Sequence, residues 1–244
     1  MPLPISRFST LRSAKRSVLP TLVAVIGIGW QLASCAAEAP VNVPAPEMDN
    51  PKQPGTLQTA VLSGGCFWGV QGVYEHVKGV EKAVSGYAGG DRSTAQYEVV
   101  GRGTTGHAES VQITFDPAKV SYGELLQIFF SVAHDPTQLN RQGPDTGTQY
   151  RSAIVYSDET QKNIATAYIA QLNKAGVFHR PIVTRVDHLK GFYPAEGYHQ
   201  DYLAHHPSDP YIAYNDLPKI ENLKRVFPNY YSDRPVLLAQ SPSR

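Results

Sequence analysis

The sequence is poor in sulfur. Its 244 residues include only two cysteines, Cys35 and Cys66, and two methionines. Small secreted domains that depend on several disulfides need more cysteines than this, so that class of protein is excluded. Neither cysteine has a second one at the CxxC spacing of thiol-disulfide oxidoreductases. Any thiol chemistry must therefore depend on a single cysteine at a time.

The chain also lacks an excess of charge. Lys and Arg number 22 against 21 Asp and Glu, so no overall field attracts nucleic acid, and we expect no nucleic-acid partner. Histidines invite a metal interpretation, but no cysteine or carboxylate spacing around them matches a closed zinc site. We therefore expect no metal. The histidines concerned are His134, His188, His199, His205 and His206.

The first 35 residues differ from the rest. Four basic residues, among them Arg7 and Arg16, precede an apolar run from Val18 to Leu32, which is typical of an export signal. The ending Leu-Ala-Ser-Cys at residues 32–35 resembles a bacterial lipobox, which implies cleavage before Cys35 and acylation of that residue. We expect an exported, lipid-anchored envelope protein facing the periplasm. The alternatives are a plain cleaved signal, leaving a soluble periplasmic protein, or an uncleaved span slightly short for a bilayer.

The remaining chain divides by composition. Residues 35–55 are rich in proline and read as a semi-extended tether, after the signal at 1–34. A single folded domain is expected over 56–233, followed by a flexible tail at 234–244, and nothing indicates more than a monomer.

Apolar patterns predict the elements of this domain. The Gly64-Gly65 pair separates a strand from a helix with Cys66 in its first turn, and Glu109 lies on the apolar face of a later strand. A capping box at Ser121 starts another helix, and Gly176 ends a third. The order indicates an α+β fold, a two-layer sandwich around a ferredoxin-like unit, with a C-terminal extension of helix and irregular coil. The predicted strands are 58–63, 80–87, 109–115, 152–156 and 182–186, and the later helices are 122–132 and one within 158–175.

Cys66 is the strongest candidate for chemistry. The positive end of the helix dipole stabilises a thiolate, and helix N-termini can bring a cysteine pKa from about 8.5 to roughly 3.5–7.5. We therefore expect a reactive thiolate. A lone cysteine taken by itself is more often a small buried core residue. The flanking glycines and the following Phe67 and Trp68 favour the reactive interpretation.

Four separated blocks resemble the peptide methionine sulfoxide reductase A family. They are GGCFWG from Gly64, the segment Tyr97–Glu109 ending TGHAE, HDPTQLNRQGPDTGTQYRSAI from His134, and FYPAEGYHQDYL from Phe192. The resemblance covers about residues 58–228 and implies an α+β fold. It also implies thiol-dependent reduction of methionine S-sulfoxide, free or in proteins, to methionine, which repairs proteins under oxidative stress.

The resemblance implies a role for each site residue. Cys66 would be the nucleophile that becomes a sulfenic acid, and Glu109 the acid that protonates the sulfoxide oxygen, with a pKa raised by burial. Tyr97 and Tyr150 would hold that oxygen, and Asp145 would support the pocket. The substrate methyl group would lie in an apolar cage of Phe67 and Trp68, with Tyr202 and His199 at its rim. His107 and Asp135 are expected only to brace loops.

The chain departs from many family members because no cysteine follows Tyr202. The resemblance is thus to single-cysteine members, which need no prosthetic cofactor but an external thiol reductant such as thioredoxin or a glutaredoxin/glutathione system. Cys35 could serve only if it were unlipidated and able to reach back. Two other functions stay open at this point: a binding module for oxidised peptides without turnover, and a general thiol-disulfide or peroxide-reducing centre.

Overall fold

The computed structural model describes Met1 and residues 39–238. The predicted signal, Cys35 and the last part of the predicted tail therefore lie outside the described residues. Six α-helices and eight strands are described. In chain order they are β1 Gln58–Gly64, α1 Phe67–Glu75, β2 Val80–Ala88, α2 Tyr97–Val100, β3 Ala108–Phe115, α3 Tyr122–Ile128, β4 Arg141–Gln142, β5 Asp145–Thr146, β6 Ser152–Tyr156, α4 Glu159–Ala175, β7 Arg185–His188, β8 Phe192–Pro194, α5 Tyr202–His205 and α6 Leu217–Val226.

One sheet of six strands organises the domain, in the order β7-β6-β1-β3-β2-β8. All neighbours are antiparallel except β6 and β7. The four strands β6-β1-β3-β2, with α1 connecting β1 to β2 and α3 connecting β3 to β6, make the split β-α-β arrangement of a ferredoxin-like unit. The α+β prediction is confirmed.

The two faces of β1 bury different side chains. Ala60 and Leu62 belong to the main core, together with Phe67, Val70 and Val73 of α1. Val61 points to the opposite face, where it packs with Val155 of β6. This alternation fixes the strand register, because a one-residue slip would exchange the two faces.

Two predicted boundaries shift in the structure. The helix expected over 122–132 is α-helical only to Ile128, and a π-helical turn over Phe129–Ala133 continues it. Its capping box at Ser121 is present as expected, with Ser121 and Glu124 each bonding the other's backbone N–H. The strand expected at 182–186 forms instead at Arg185–His188, because it pairs in parallel with β6 starting from Ala153.

The segments on either side of the domain lie against it. Val43, in the proline-rich stretch interpreted as a tether, is buried, and the Val41 N–H donates to the Ser131 carbonyl at 2.9 Å. At the other end, the Val236 N–H donates to the Glu75 carbonyl at 2.8 Å. Composition did not indicate these contacts, because it gives little weight to single apolar residues among prolines. Within residues 39–238 no helix combines the length and apolar character needed to cross a membrane.

Candidate active site

Cys66 lies between β1 and α1, as the N-cap residue of the helix. Gly65 directly before it has φ +91°, a left-handed conformation that favours glycine. A Cβ at Gly65 would also stand 2.5 Å from side-chain carbons of Gln142, so only glycine lets the β4–β5 ribbon approach this closely. The turn predicted from Gly64-Gly65 is confirmed, and it brings the ribbon with Asp145 close to the cysteine.

The Cys66 side chain is buried, and burial raises its pKa well above the ordinary value. The negative charges of Glu109, Asp216 and Asp145 act in the same direction. A hydrogen bond from the Trp68 N–H to the sulfur opposes them but is outweighed. The expectation of a lowered pKa is therefore wrong for the free protein. The helix N-terminus is present, but desolvation and three carboxylates exceed its effect.

Glu109 stands beside Cys66. It lies near the start of β3, only 4% exposed, and its Oε2 accepts a hydrogen bond from the Phe67 N–H at 3.0 Å. Burial raises the pKa of Glu109 to about 8, the Phe67 hydrogen bond counteracts this, and Asp145 and Asp216 add to the rise. This confirms the expectation that an apolar strand face keeps the carboxylic acid protonated near neutral pH.

Four rings form an aromatic cluster next to the thiol. Trp68 stacks on Tyr202 with ring centroids 4.0 Å apart and planes inclined by 13°. Its Nε1–H donates to His199 Nδ1 at 3.1 Å, so the proton of the neutral imidazole sits on Nε2. Phe67 completes the cluster at 5.2 Å from His199. Burial lowers the pKa of His199, which keeps the ring neutral.

Two tyrosines and an aspartate approach from other segments. The Tyr97 ring lies 4.2 Å from His199, and burial, then the charge of Glu109, raises its pKa to about 12. Tyr150 interacts electrostatically with Glu109, Asp145 and Cys66, and burial is the largest cause of its raised pKa. Both phenols stay protonated near neutral pH and are available as hydrogen-bond donors. All nine residues predicted for catalysis or substrate binding thus converge on one place.

Three further residues belong to this place and were missed. The Tyr211 hydroxyl donates to Asp145, and its ring meets the Trp68 ring edge-on at 6.0 Å. Asp216 and Lys219 form an ion pair at 3.0 Å. The only sequence signal for that pair is its i, i+3 spacing, which is common on helices.

His107 and Asp135 brace loops, as expected. The His107 ring bonds the Gly90 N–H and the Asp91 carbonyl, and Asp135 bonds the backbone and hydroxyl of Thr137. Over the described residues, no group of three His, Cys, Asp or Glu side chains could hold a metal ion.

Known proteins have similar sequences and folds. The peptide methionine sulfoxide reductase family model matches residues 58–230. The chain is 63% identical over 191 residues to peptide methionine sulfoxide reductase MsrA 2 of Mesorhizobium japonicum, covering 78% of this chain and 97% of that protein. It is 50% identical over 202 residues to MsrA 2 of Synechocystis sp., covering 82% and 92% of the two chains.

Two solved structures have a fold similar to that of this chain. Reduced Mxr1 from Saccharomyces cerevisiae matches with a TM-score of 0.56 and 32% identity, over 67% of this chain and 92% of that one. Methionine sulfoxide reductase A of Corynebacterium diphtheriae matches with a TM-score of 0.54 and 34% identity, over 69% of this chain and 88% of that one. The chain belongs to the peptide methionine sulfoxide reductase A family and is an oxidoreductase, a peptide-methionine (S)-S-oxide reductase.

Proposed function

We propose that Cys66 is the nucleophile of methionine S-sulfoxide reduction in this chain and that Glu109 is its proton donor. The hydrogen bond from the Phe67 N–H to Glu109 Oε2 at 3.0 Å carries this proposal. It fixes a buried carboxylic acid against the residue that follows the cysteine. A sulfoxide whose sulfur meets the Cys66 sulfur would then have its oxygen near a group able to protonate it.

The chemistry balances with these two groups. The Cys66 sulfur attacks the sulfoxide sulfur while Glu109 gives its proton to the oxygen, which weakens the sulfur–oxygen bond. That oxygen passes to Cys66 as a sulfenic acid, and methionine leaves as the reduced thioether. Glu109 recovers a proton from the Cys66 thiol. The net reaction converts one thiol and one sulfoxide into one sulfenic acid and one thioether.

Tyr97 and Tyr150 supply neutral hydrogen-bond donors for the oxygen. Both phenols have a raised pKa and interact with Glu109, so they remain protonated as that residue loses its proton. Phe67 and Trp68 provide an apolar cage for the substrate methyl group. Asp145 supports the pocket by accepting the Tyr211 hydroxyl, and Tyr202 and His199 hold the Trp68 ring in place.

An external thiol completes the cycle. It attacks the sulfenic sulfur of Cys66, water leaves, and a mixed disulfide forms; a second thiol then releases Cys66 and carries away the disulfide. Within the described part of the chain Cys66 is the only free cysteine, which supports a reductant from outside. We expect thioredoxin or a glutaredoxin/glutathione system in this role.

We further propose export and lipid anchoring through Cys35, facing the periplasm, with the domain acting as a monomer. The basic residues before the apolar run at 18–32 and the Leu-Ala-Ser-Cys ending support this location. The intact mass of the membrane-extracted protein tests it. A mature N-terminus other than an acylated Cys35 would contradict the lipid anchor. A cleaved N-terminus without an acyl group would favour the soluble periplasmic alternative, and an uncleaved one the membrane span.

A stereospecific assay tests the function. The mature domain is incubated with dithiothreitol and each epimer of methionine sulfoxide, free and in a peptide, beside Cys66→Ser. We expect loss of the S-epimer only, and none with the variant, because serine cannot form the sulfenic acid. Consumption of the R-epimer alone, or an unchanged rate with Cys66→Ser, would overturn the proposal.

A further inference from the structure

A buried ion pair lies beneath the first turn of α1. Asp216, at the end of the π-helical turn Ile212–Asp216, is fully buried, and its Oδ1 is 3.0 Å from the Lys219 Nζ. The Lys219 side chain is 12% exposed. The second carboxylate oxygen of Asp216 is buried and has no hydrogen-bond partner among the described residues. Lys219 therefore leaves part of the Asp216 charge uncompensated.

The pair touches the helix at Gly69. A Cβ placed on Gly69 would stand 2.1 Å from Asp216 Oδ1 and 2.9 Å from Lys219 Nζ. Only glycine leaves room for both groups against the helix backbone. Gly69 follows Trp68, whose N–H bonds to the Cys66 sulfur. The carboxylate thus lies against the same turn that supports the nucleophile.

Negative charge at this position opposes the helix dipole. A thiolate at a helix N-terminus is stabilised by the unpaired N–H groups, and a carboxylate already present there competes for the same field. Asp216 raises the pKa of the Cys66 thiol, after burial and Glu109 and ahead of Asp145. Four tyrosine hydroxyls also interact electrostatically with the thiol. They are Tyr97, Tyr150, Tyr202 and Tyr211.

We propose that Asp216, held against Gly69 by Lys219, is a positioning residue that keeps Cys66 in its thiol form until a substrate enters the site. The thiolate is the form that peroxides and alkylating agents attack, so a protonated Cys66 is protected while the enzyme is empty. This inference rests on the proposed role of Cys66 as nucleophile. Asp216 would act through the charge it places on the α1 terminus rather than by touching the substrate.

The test measures how readily the Cys66 sulfur is alkylated at each pH. The full chain is treated with iodoacetamide across a pH series, and mass spectrometry follows the peptide that carries Cys66. We expect Asp216→Asn to move the alkylation midpoint to lower pH and to raise the rate near pH 7.5 several-fold. Glu159→Gln is the matched control, because it removes one carboxylate from an exposed i, i+3 pair with Lys162 on α4. It should leave the midpoint unchanged.

A second variant keeps every charge. Gly69→Ala places a Cβ where Asp216 Oδ1 lies, so it should displace the carboxylate and also lower the midpoint. Circular dichroism and the melting temperature identify variants that do not fold. An unchanged midpoint in a folded Asp216→Asn or Gly69→Ala protein would overturn the inference. A lowered midpoint in the two variants, together with no sulfoxide turnover by the wild-type chain, would keep the inference and refute the proposed role of Cys66 in reduction instead.

Discussion

Two buried glutamates stand at opposite ends of helix α1. Glu109 meets the amino end through the Phe67 N–H, and Glu75 is the last residue of the helix. Glu109 is 4% exposed and Glu75 is 1% exposed. Burial is the main cause of a raised pKa in both, to about 8 for Glu109 and about 9 for Glu75. By burial and acidity alone the two cannot be distinguished.

Their neighbours separate them. Glu109 lies beside a thiol and two phenols, whereas Glu75 lies beside a second carboxyl group, Asp201. Neither carboxyl oxygen of Glu75 receives a hydrogen bond from an N–H or hydroxyl of the described residues. The proton of Glu75 itself must therefore join the two acids. A raised pKa marks burial, and a catalytic role additionally requires reacting groups within reach.

The largest expected effect is the difference in activity between two matched variants. Glu109→Gln removes the proton donor, and we expect the reduction rate to fall by about 10²- to 10⁴-fold, the usual contribution of a positioned acid. Glu75→Gln makes the same chemical change at the other end of α1 but should reduce turnover little. Steady-state rates with the S-epimer and dithiothreitol measure both. Equal losses in the two variants would break the distinction.

The next-largest expected effect is on thermal stability as the pH rises. An acid whose pKa is raised by folding stabilises the fold fully below its ordinary pKa, and this contribution is lost as the pH rises through the raised value. For Glu75 the window runs from the ordinary 4.5 to about 9. We expect the melting temperature of the wild type to fall across it. Glu75→Gln should lose several degrees less, because the amide can donate to Asp201 at any pH.

Glu109→Gln sharpens this measurement. The pH range over which wild-type Glu109 loses its stabilising contribution runs from the same ordinary pKa only to about 8. Between pH 8 and pH 9, therefore, the slope of melting temperature against pH should be reduced mainly by Glu75→Gln. If neither variant flattens the curve between pH 5 and pH 9, the raised pKa values of the two glutamates would be contradicted.

Residue patterns were sufficient for Glu109 but not for Glu75. The alternation from Glu109 to Phe115 placed the acid on the apolar face of a strand, and the four family blocks brought it together with Cys66. Glu75 has no such signal, because its partner Asp201 lies more than a hundred residues later in the sequence, after the last strand of the sheet. Pairings of this kind depend on tertiary packing, which local periodicity does not report.

The chemistry of Cys66 shows the same limit. Its position at the helix terminus followed from the glycines and the helical stripe. The direction of its pKa did not, because it depends first on how deeply the thiol is buried and then on nearby charges, among them Asp216, which comes from a segment that the sequence did not place in the site. The ferredoxin-like unit was predictable for the opposite reason. Its elements are set by periodic burial along each segment.

The smallest expected effect concerns the far end of α1, where the C-terminal segment closes over the acid pair. The Leu238 N–H donates to Asp201 Oδ2 at 3.0 Å, and Asp201 has a left-handed φ of +54°. Leu238→Pro removes this donor, whereas Leu238→Ala keeps it. We expect the proline variant to be less stable than the alanine variant by about 1 kcal/mol, the net value of one hydrogen bond.

Chemical denaturation at pH 7 measures that difference, and the sulfoxide assay should show near-equal turnover for both variants. Because this contact lies at the opposite end of the helix from Cys66, loss of stability and loss of activity should separate here. In Glu109→Gln, by contrast, turnover should fall steeply without a matching loss of stability at pH 7. A proline variant that is as stable as the alanine variant would show that the C-terminal segment does not hold Asp201. A steep loss of turnover in the proline variant alone would show instead that the two ends of α1 are coupled.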